Sequence, residues 1–252
     1  MLGASRLFSQ GWESLRRFIP PPQHEHPKEW SDFEYTAYVN VIIAILNAIQ
    51  RSGHGGAVVL ASQSAPFASE QSSPVRIKYR FASGSDSLQK LFVEFMKARH
   101  QLADFINLKE SGDPNTSDKD VKSAVHDASV AELKLADTCT FVGKLSGTDG
   151  AIVLNSDLTL FGFGTEILLD KRIDLPVYEV ENPIAKEEKH QIDGEQYGMR
   201  HRSAMRLCTN VTDIVVFVVS QDGDVSITWR QWGDNEVYFK KGIRITNMNM
   251  PG

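Results

Sequence analysis

The hydrophobic pattern of this chain changes period near residue 150, and that change bounds the folds open to it. From residue 85 up to it, apolar residues recur at three- and four-residue steps; after it, short runs dense in β-branched and aromatic residues take over. From Ser85 to about Lys109, Leu88, Leu91, Phe95, Ala98, Leu102 and Phe105 share one stripe, which predicts a long amphipathic helix. Gly112 to Asp118 is a polar break. A second helix is expected from Lys119 to about Thr138, with Val121, Val125, Ala128 and Leu135 inward. Past the change, Ala151 to Leu154, Leu158 to Phe163 and Ile214 to Val219 read as strands, and Val225 to Trp229 and Glu236 to Phe239 continue the trend. Asn155-Ser156-Asp157 and Gln221-Asp222-Gly223 supply turns, the second with hairpin chemistry. Arg200 to Cys208 reads as a helix with Ala204 and Leu207 inward.

The first third adds its own punctuation. Pro20-Pro21-Pro22 through Pro27 reads as a solvated linker, with His24 and His26 lacking a third ligand type nearby. Ser31-Asp32-Phe33-Glu34 reads as a capping box with Trp30 as hydrophobic staple. It opens a helix striped by Phe33, Ala37, Val41, Ile45 and Ile49 and ending near Ser52-Gly53. Gly53-His54-Gly55-Gly56 forms a tight turn into a buried strand, Ala57 to Leu60. After a Ser/Ala/Pro-rich loop, Val75, Ile77, Tyr79 and Phe81 alternate with Arg76, Lys78 and Arg80 as a half-buried strand. These elements predict an α/β (α+β) layer fold: a mixed central sheet flanked by helices, with a helical N-terminal extension or insertion. Three parts follow: residues 1–29 as N-terminal segment and linker, 30–118 as the N-terminal part of the domain or a sensor layer, and 119–252 as the core.

Composition narrows the partners. With 41% hydrophobic and 23% charged residues, the 252-residue chain affords a core without staples. Its two cysteines, Cys139 and Cys208, stand outside any disulfide or zinc spacing, which fits a reduced, cytoplasmic setting. The net charge of −5 lacks the basic excess of proteins that grip nucleic acid. The most apolar stretch, Val39 to Ile49, is broken by Asn40 and Asn47 and is too short to span a membrane. Within residues 1–19, Trp12, Leu15, Phe18 and Ile19 lie among Arg6, Arg16 and Arg17. Such a short amphipathic helix either packs on its own domain or touches a membrane surface or partner.

Three short elements carry chemistry. Asp149-Gly150-Ala151 places a carboxylate at a strand entry beside a glycine that lets a ligand approach the backbone. Such an aspartate suits Mg²⁺ or Mn²⁺, or assistance in deprotonating a sugar hydroxyl; an ordinary turn aspartate has the same local sequence. Arg200-His201-Arg202 near a helix start brings guanidinium forks and backbone N–H groups toward phosphates, or forms a solvated basic turn. Ser220-Gln221-Asp222 closes a strand with a hydroxyl and a carboxylate, which is also plain hairpin chemistry.

In order and spacing, these elements resemble the diadenylate cyclase (DAC) domain family, and the fold implied is DAC-like. The resemblance rests on Thr148-Asp149-Gly150-Ala151-Ile152-Val153-Leu154, then Gly198-Met199-Arg200-His201-Arg202-Ser203-Ala204, then Val218-Val219-Ser220-Gln221-Asp222. It covers roughly residues 133–232, with Gly55-Gly56-Ala57-Val58-Val59 extending it weakly toward residue 33. The motifs come closest to the nucleotide-binding domain of the DNA-integrity scanning branch, without its DNA-binding part. The resemblance implies that two domains face each other in a homodimer or larger oligomer and condense two ATP into cyclic di-AMP, a second messenger, plus pyrophosphate. It puts catalysis at Asp149, nucleotide contacts at Gly150, Ala151, Arg200, His201, Arg202, Ser203 and Ser220, and the metal, Mg²⁺ or Mn²⁺, at Asp149 and Asp222. Met199 stands where the family carries threonine, Thr148 where one branch carries histidine, and Gln221-Asp222 where that branch carries Glu-Glu. Two further readings stand beside an active cyclase: a DAC-like nucleotide-binding sensor without turnover, and an oligomerisation protein in which the motifs coincide by chance.

Overall fold

The computed structural model describes residues 3–19, 29–62, 65, 67, 73–168, 173–181, 188–230, 233–243 and 245. The chain is mixed α and β, and its described strands form one nine-stranded sheet. In chain order the elements are α1 (Gly3–Arg16), α2 (Glu29–Ser52), β1 (Gly56–Ala61), β2 (Val75–Ser85), α3 (Ser87–Glu110) and α4 (Asp118–Lys144). There follow β3 (Ala151–Asn155), β4 (Leu160–Ile167), β5 (Val177–Val180), β6 (Lys189–Ile192), α5 (Met199–Asn210), β7 (Ile214–Val219), β8 (Val225–Trp229) and β9 (Val237–Lys240). The spatial order is β2-β4-β3-β1-β7-β8-β9-β5-β6. Only β1·β3 and β5·β9 run parallel; the other neighbours are antiparallel.

Strand β1 holds the middle of this sheet because it is apolar on both faces. Val58 and Leu60 point into a core shared with α1 to α4, whereas Val59 and Ala61 point into a second core under α5. Strands buried on both faces read as continuous apolar runs, and Ala57-Val58-Val59-Leu60-Ala61 is one. The result is three layers: four helices, the sheet, and α5 with its flanking loops.

The helical layer is built from long stripes. Ala37, Val41, Ile45 and Ile49 of α2 are all buried, as the sequence predicts. Trp12, Leu15 and Ile19 are buried too, with Trp12 edge-on to Phe92 and Phe8 edge-on to Tyr38 and Phe217. The amphipathic N-terminal helix therefore packs on its own chain. Among the described residues no helix is long and apolar enough to cross a membrane.

Several expectations are corrected. Helix α2 begins at Glu29, so Ser31 lies inside it and is not an N-cap; Glu34 instead meets His100 of α3 at 2.7 Å, both side chains buried. The proline-rich linker and the side chains of Trp30 and Ser31 lie outside the described residues. The true capping box is at α4, where Ser117 Oγ accepts from Asp120 N at 3.3 Å and Asp120 Oδ2 accepts from Ser117 N at 2.8 Å. Helix α4 also runs on past Thr138 to Lys144. Gly143 sits inside it because a Cβ there would fall 2.5 Å from Ala48 Cβ and 2.8 Å from Ile45 O. Its buried line is Ala124, Ala128, Leu135, Cys139 and Val142, and the expected inward Val125 is exposed. On α3 the buried residues run from Leu88 to His100, and Leu102 and Phe105 beyond them are only half-buried.

Candidate functional site

On the α5 side of the sheet, a cavity of about 1120 Å³ crosses four strands, from β4 through β3 and β1 to β7. It exceeds the roughly 300–1,000 Å³ usual for a small-molecule site. Its floor follows the pairing register. Thr165 of β4 pairs with Ala151 of β3, Ala151 with Ala57 of β1, and Ala57 with Val218 of β7. Two alanines in the middle make that floor flat.

One wall is the start of α5. Gly198 caps this helix without a side chain, no acidic residue sits in its first turn, and Gly198, Met199, Arg200, His201 and Ser203 all line the cavity. The first backbone N–H groups of a helix have no partner within it, and the helix dipole adds positive potential there, so this wall favours an anion. The Arg200 guanidinium is held back against the turn before β1, donating from Nη2 to His54 O at 3.1 Å. Gly55, at φ +64°, leaves that space: a Cβ would fall 2.9 Å from Arg200 Nη1 and 2.7 Å from Val219 O.

His201 packs beside Tyr197 and edge-on to Phe239, with ring centroids 6.1 and 5.8 Å away. Burial of the ring, and then the neighbouring Arg200 charge, lower its pKa below the ordinary 6.5, while Asp222 pulls weakly the other way. In the window between the lowered value and 6.5 the unfolded chain holds more protons at this site than the folded one. Stability therefore rises with pH across that window and falls as pH drops through it. A bound phosphate oxyanion favours the imidazolium and raises the pKa again. Binding of an anion that does not itself titrate there, such as sulfate, at about pH 6.5 is thus expected to take up protons, seen as a binding enthalpy that varies with buffer ionisation. The His201→Gln variant should lose that buffer dependence.

Two aspartate carboxylates also line the cavity. Asp149 stands exposed between a 3-10 turn, Leu145–Gly147, and β3. Asp222 sits in the β7–β8 turn, where Ser220 Oγ lies against its carboxylate and 3.0 Å from the Asp224 carbonyl. The Ser220 hydrogen bond, with smaller help from backbone groups and His201, keeps the Asp222 carboxyl below the ordinary value and so ionised. Among the described residues no group of three or more His, Cys, Asp or Glu side chains is arranged to hold a metal ion. Mg²⁺ keeps several waters and takes one or two carboxylates plus phosphate oxygens, so Asp149 and Asp222 are the cavity-lining aspartates that would hold it alongside a phosphate ligand.

Asp149, Gly150, Ala151, Arg200, His201, Ser203, Ser220 and Asp222 thus share one cavity. Arg202 does not join them; it is half-buried, with its backbone N–H bonded to Gly198 O at 3.1 Å. The sequence reading missed Gly56, Ala57, Ser146, Thr165 and Glu166, which also line it. Ser146 packs under the start of β1, where a Cβ on Gly56 would fall 2.7 Å from Ser146 Cβ. The two cysteines are buried away from this lining, and burial pushes the Cys139 thiol up to about 12. No family model matches the chain, and no curated protein matches it.

Proposed function

We propose that this protein binds ATP in the α5-side cavity and, as a DAC-like homodimer, condenses two ATP into cyclic di-AMP. The observation that carries the reading is the convergence of three sequence-distant motifs, at 149–151, 198–204 and 220–222, on one trough. The uncapped start of α5, with Arg200 and His201, suits the triphosphate, and the flat alanine floor suits the nucleoside. A divalent cation bound with the triphosphate supplies charge neutralisation at the α-phosphate. Asp149 at the rim is then the group that faces the incoming 3′-hydroxyl. In each half-reaction a 3′-oxygen to α-phosphorus bond forms, the bond from α-phosphorus to the bridging oxygen breaks, pyrophosphate leaves, and the hydroxyl proton passes to Asp149 or solvent. Two such steps, one from each facing protomer, close the ring. Each cavity supplies one ATP, so the rim must meet its counterpart on a second copy.

The test is incubation of the purified protein with ATP and Mg²⁺ or Mn²⁺, followed by mass analysis. Cyclic di-AMP is the expected product, and its rate per protomer should fall on dilution as the dimer dissociates. Activity that persists per protomer at any dilution removes the face-to-face mechanism. A second reading, a nucleotide-binding sensor without turnover, is favoured by Met199. This residue opens α5 with 75% of its surface exposed and offers no hydroxyl at the phosphate wall. Saturable ATP binding with no product would select it.

A further inference from the structure

The floor of the trough holds a polar group that has no partner among the described residues. Thr165 is 2% exposed, lines the cavity, and its Oγ1 has no hydrogen-bond partner among the described residues. Buried hydroxyls are nearly always bonded, and an unsatisfied one costs stability. Its neighbours in the pairing row are Ile77 on one side and Ala151 on the other, both without polar side-chain atoms.

The backbone around it is shaped to keep it there. Between the Thr165–Ala151 and Gly162–Val153 pairs, β4 advances three residues while β3 advances two, which is a bulge of one residue. Gly164 takes φ +65° at this bulge. Bulges re-aim side chains and cluster beside ligand sites. Gly150, at φ +118°, packs directly under the bulge. The same irregularity therefore fixes both the Asp149-Gly150-Ala151 corner and the direction of Thr165.

The row also fixes where along a ligand this hydroxyl falls. Thr165, Ala151, Ala57 and Val218 lie on successive strands, so Thr165 stands roughly 14 Å from the β7 side, where α5 begins. A nucleotide with its phosphates at Arg200 and His201 reaches across the alanines and puts its nucleoside against Thr165. We propose that Thr165 is a recognition residue for the nucleoside, its hydroxyl bonding the base or ribose of the ATP whose phosphates sit at α5. This rests on the nucleotide site proposed above.

The experiment compares wild type, Thr165→Val and Thr165→Ser in calorimetric binding of ATP and of inorganic tripolyphosphate, with melting measured in the absence of ligand. Valine keeps the shape and the strand preference but removes the hydroxyl. Thr165→Val is expected to weaken ATP binding by about 5- to 100-fold, to leave tripolyphosphate binding unchanged, and to melt no lower than wild type. Thr165→Ser is expected to retain most of the ATP affinity. Unchanged ATP affinity in Thr165→Val overturns the proposal, as does an equal loss for tripolyphosphate, which would place Thr165 at the phosphate end or in the fold alone. A lowered melting temperature also overturns it, because the hydroxyl would then have a partner within the protein. Wild type that binds tripolyphosphate but shows no added affinity for ATP, or that binds neither, removes the nucleotide reading itself and this inference with it.

Discussion

Asp149→Asn is expected to suppress cyclic di-AMP formation by at least about 10²-fold, the scale on which a positioned proton-transfer group acts. The substitution keeps size and shape at an exposed position between a 3-10 turn and β3, so no packing is lost. Folding, judged by the melting temperature, should stay within about 0.5 kcal/mol of wild type. ATP binding without metal should also persist, because the start of α5, the proposed place of the phosphates, is untouched. What disappears is a negative charge on the rim where the proposed reaction puts the attacking hydroxyl. The assay is product by mass, with ATP binding and melting measured on the same sample. Normal turnover in this variant would strip Asp149 of its role and move attention to Asp222 in the β7–β8 turn.

Gly150→Ala is expected to be strongly destabilising for the addition of a single methyl. The residue sits at φ +118°, a region L side chains rarely adopt. A Cβ there would fall 2.5 Å from the Gly164 carbonyl carbon, 2.5 Å from Thr165 N and 2.7 Å from Thr165 O. All three are backbone atoms of a paired strand, so no side chain can swing aside. Strain and overpacking together should cost roughly 3 kcal/mol or more, read as a fall in the denaturant midpoint. Gly53→Ala is the internal control. Gly53 also has a positive φ, +70°, but nothing lies within 4 Å of a Cβ there, so only the conformational cost, about 1 kcal/mol, should appear. A midpoint in Gly150→Ala no lower than in the control would mean that the close approach of β3 to β4 is not required.

The sequence shows the parts with long or sharp signals. The four-residue stripe of α2, the buried run of β1 and the Gln221-Asp222-Gly223 hairpin all stand where the pattern puts them. Strands β5 and β6 are missed for opposite reasons. Val177–Val180 is only four residues long, and Lys189–Ile192 is an edge strand with three of its four residues exposed, so neither shows a core-facing period. Gly143 looks like a helix stop by propensity, yet α4 packs there so close to α2 that a Cβ has no room. Gly162 and Gly164 have the same effect on β4. They cut the expected strand at Phe163 and so hide Thr165 and Glu166, because a bulge depends on the register of two strands and is invisible in one. The rim motifs were legible through their residue types and order; Ala57 and Ser146 were not, since a small floor residue and a packed serine carry no chemical signature.

The position of β1 has a consequence for how the chain is made. Its two neighbours, β3 and β7, begin 95 and 158 residues after β1 begins. During synthesis at about 5–20 residues per second, the central strand emerges roughly 8–30 s before β7 starts to follow it. Until β3 follows, roughly 5–19 s after β1, this run of apolar residues is unpaired on either edge, and the edge that β7 takes stays open for the whole interval. Such late-satisfied central strands raise contact order and slow folding. The cell's risk of misassembly is thus concentrated in six residues that, in the finished protein, are among the most protected.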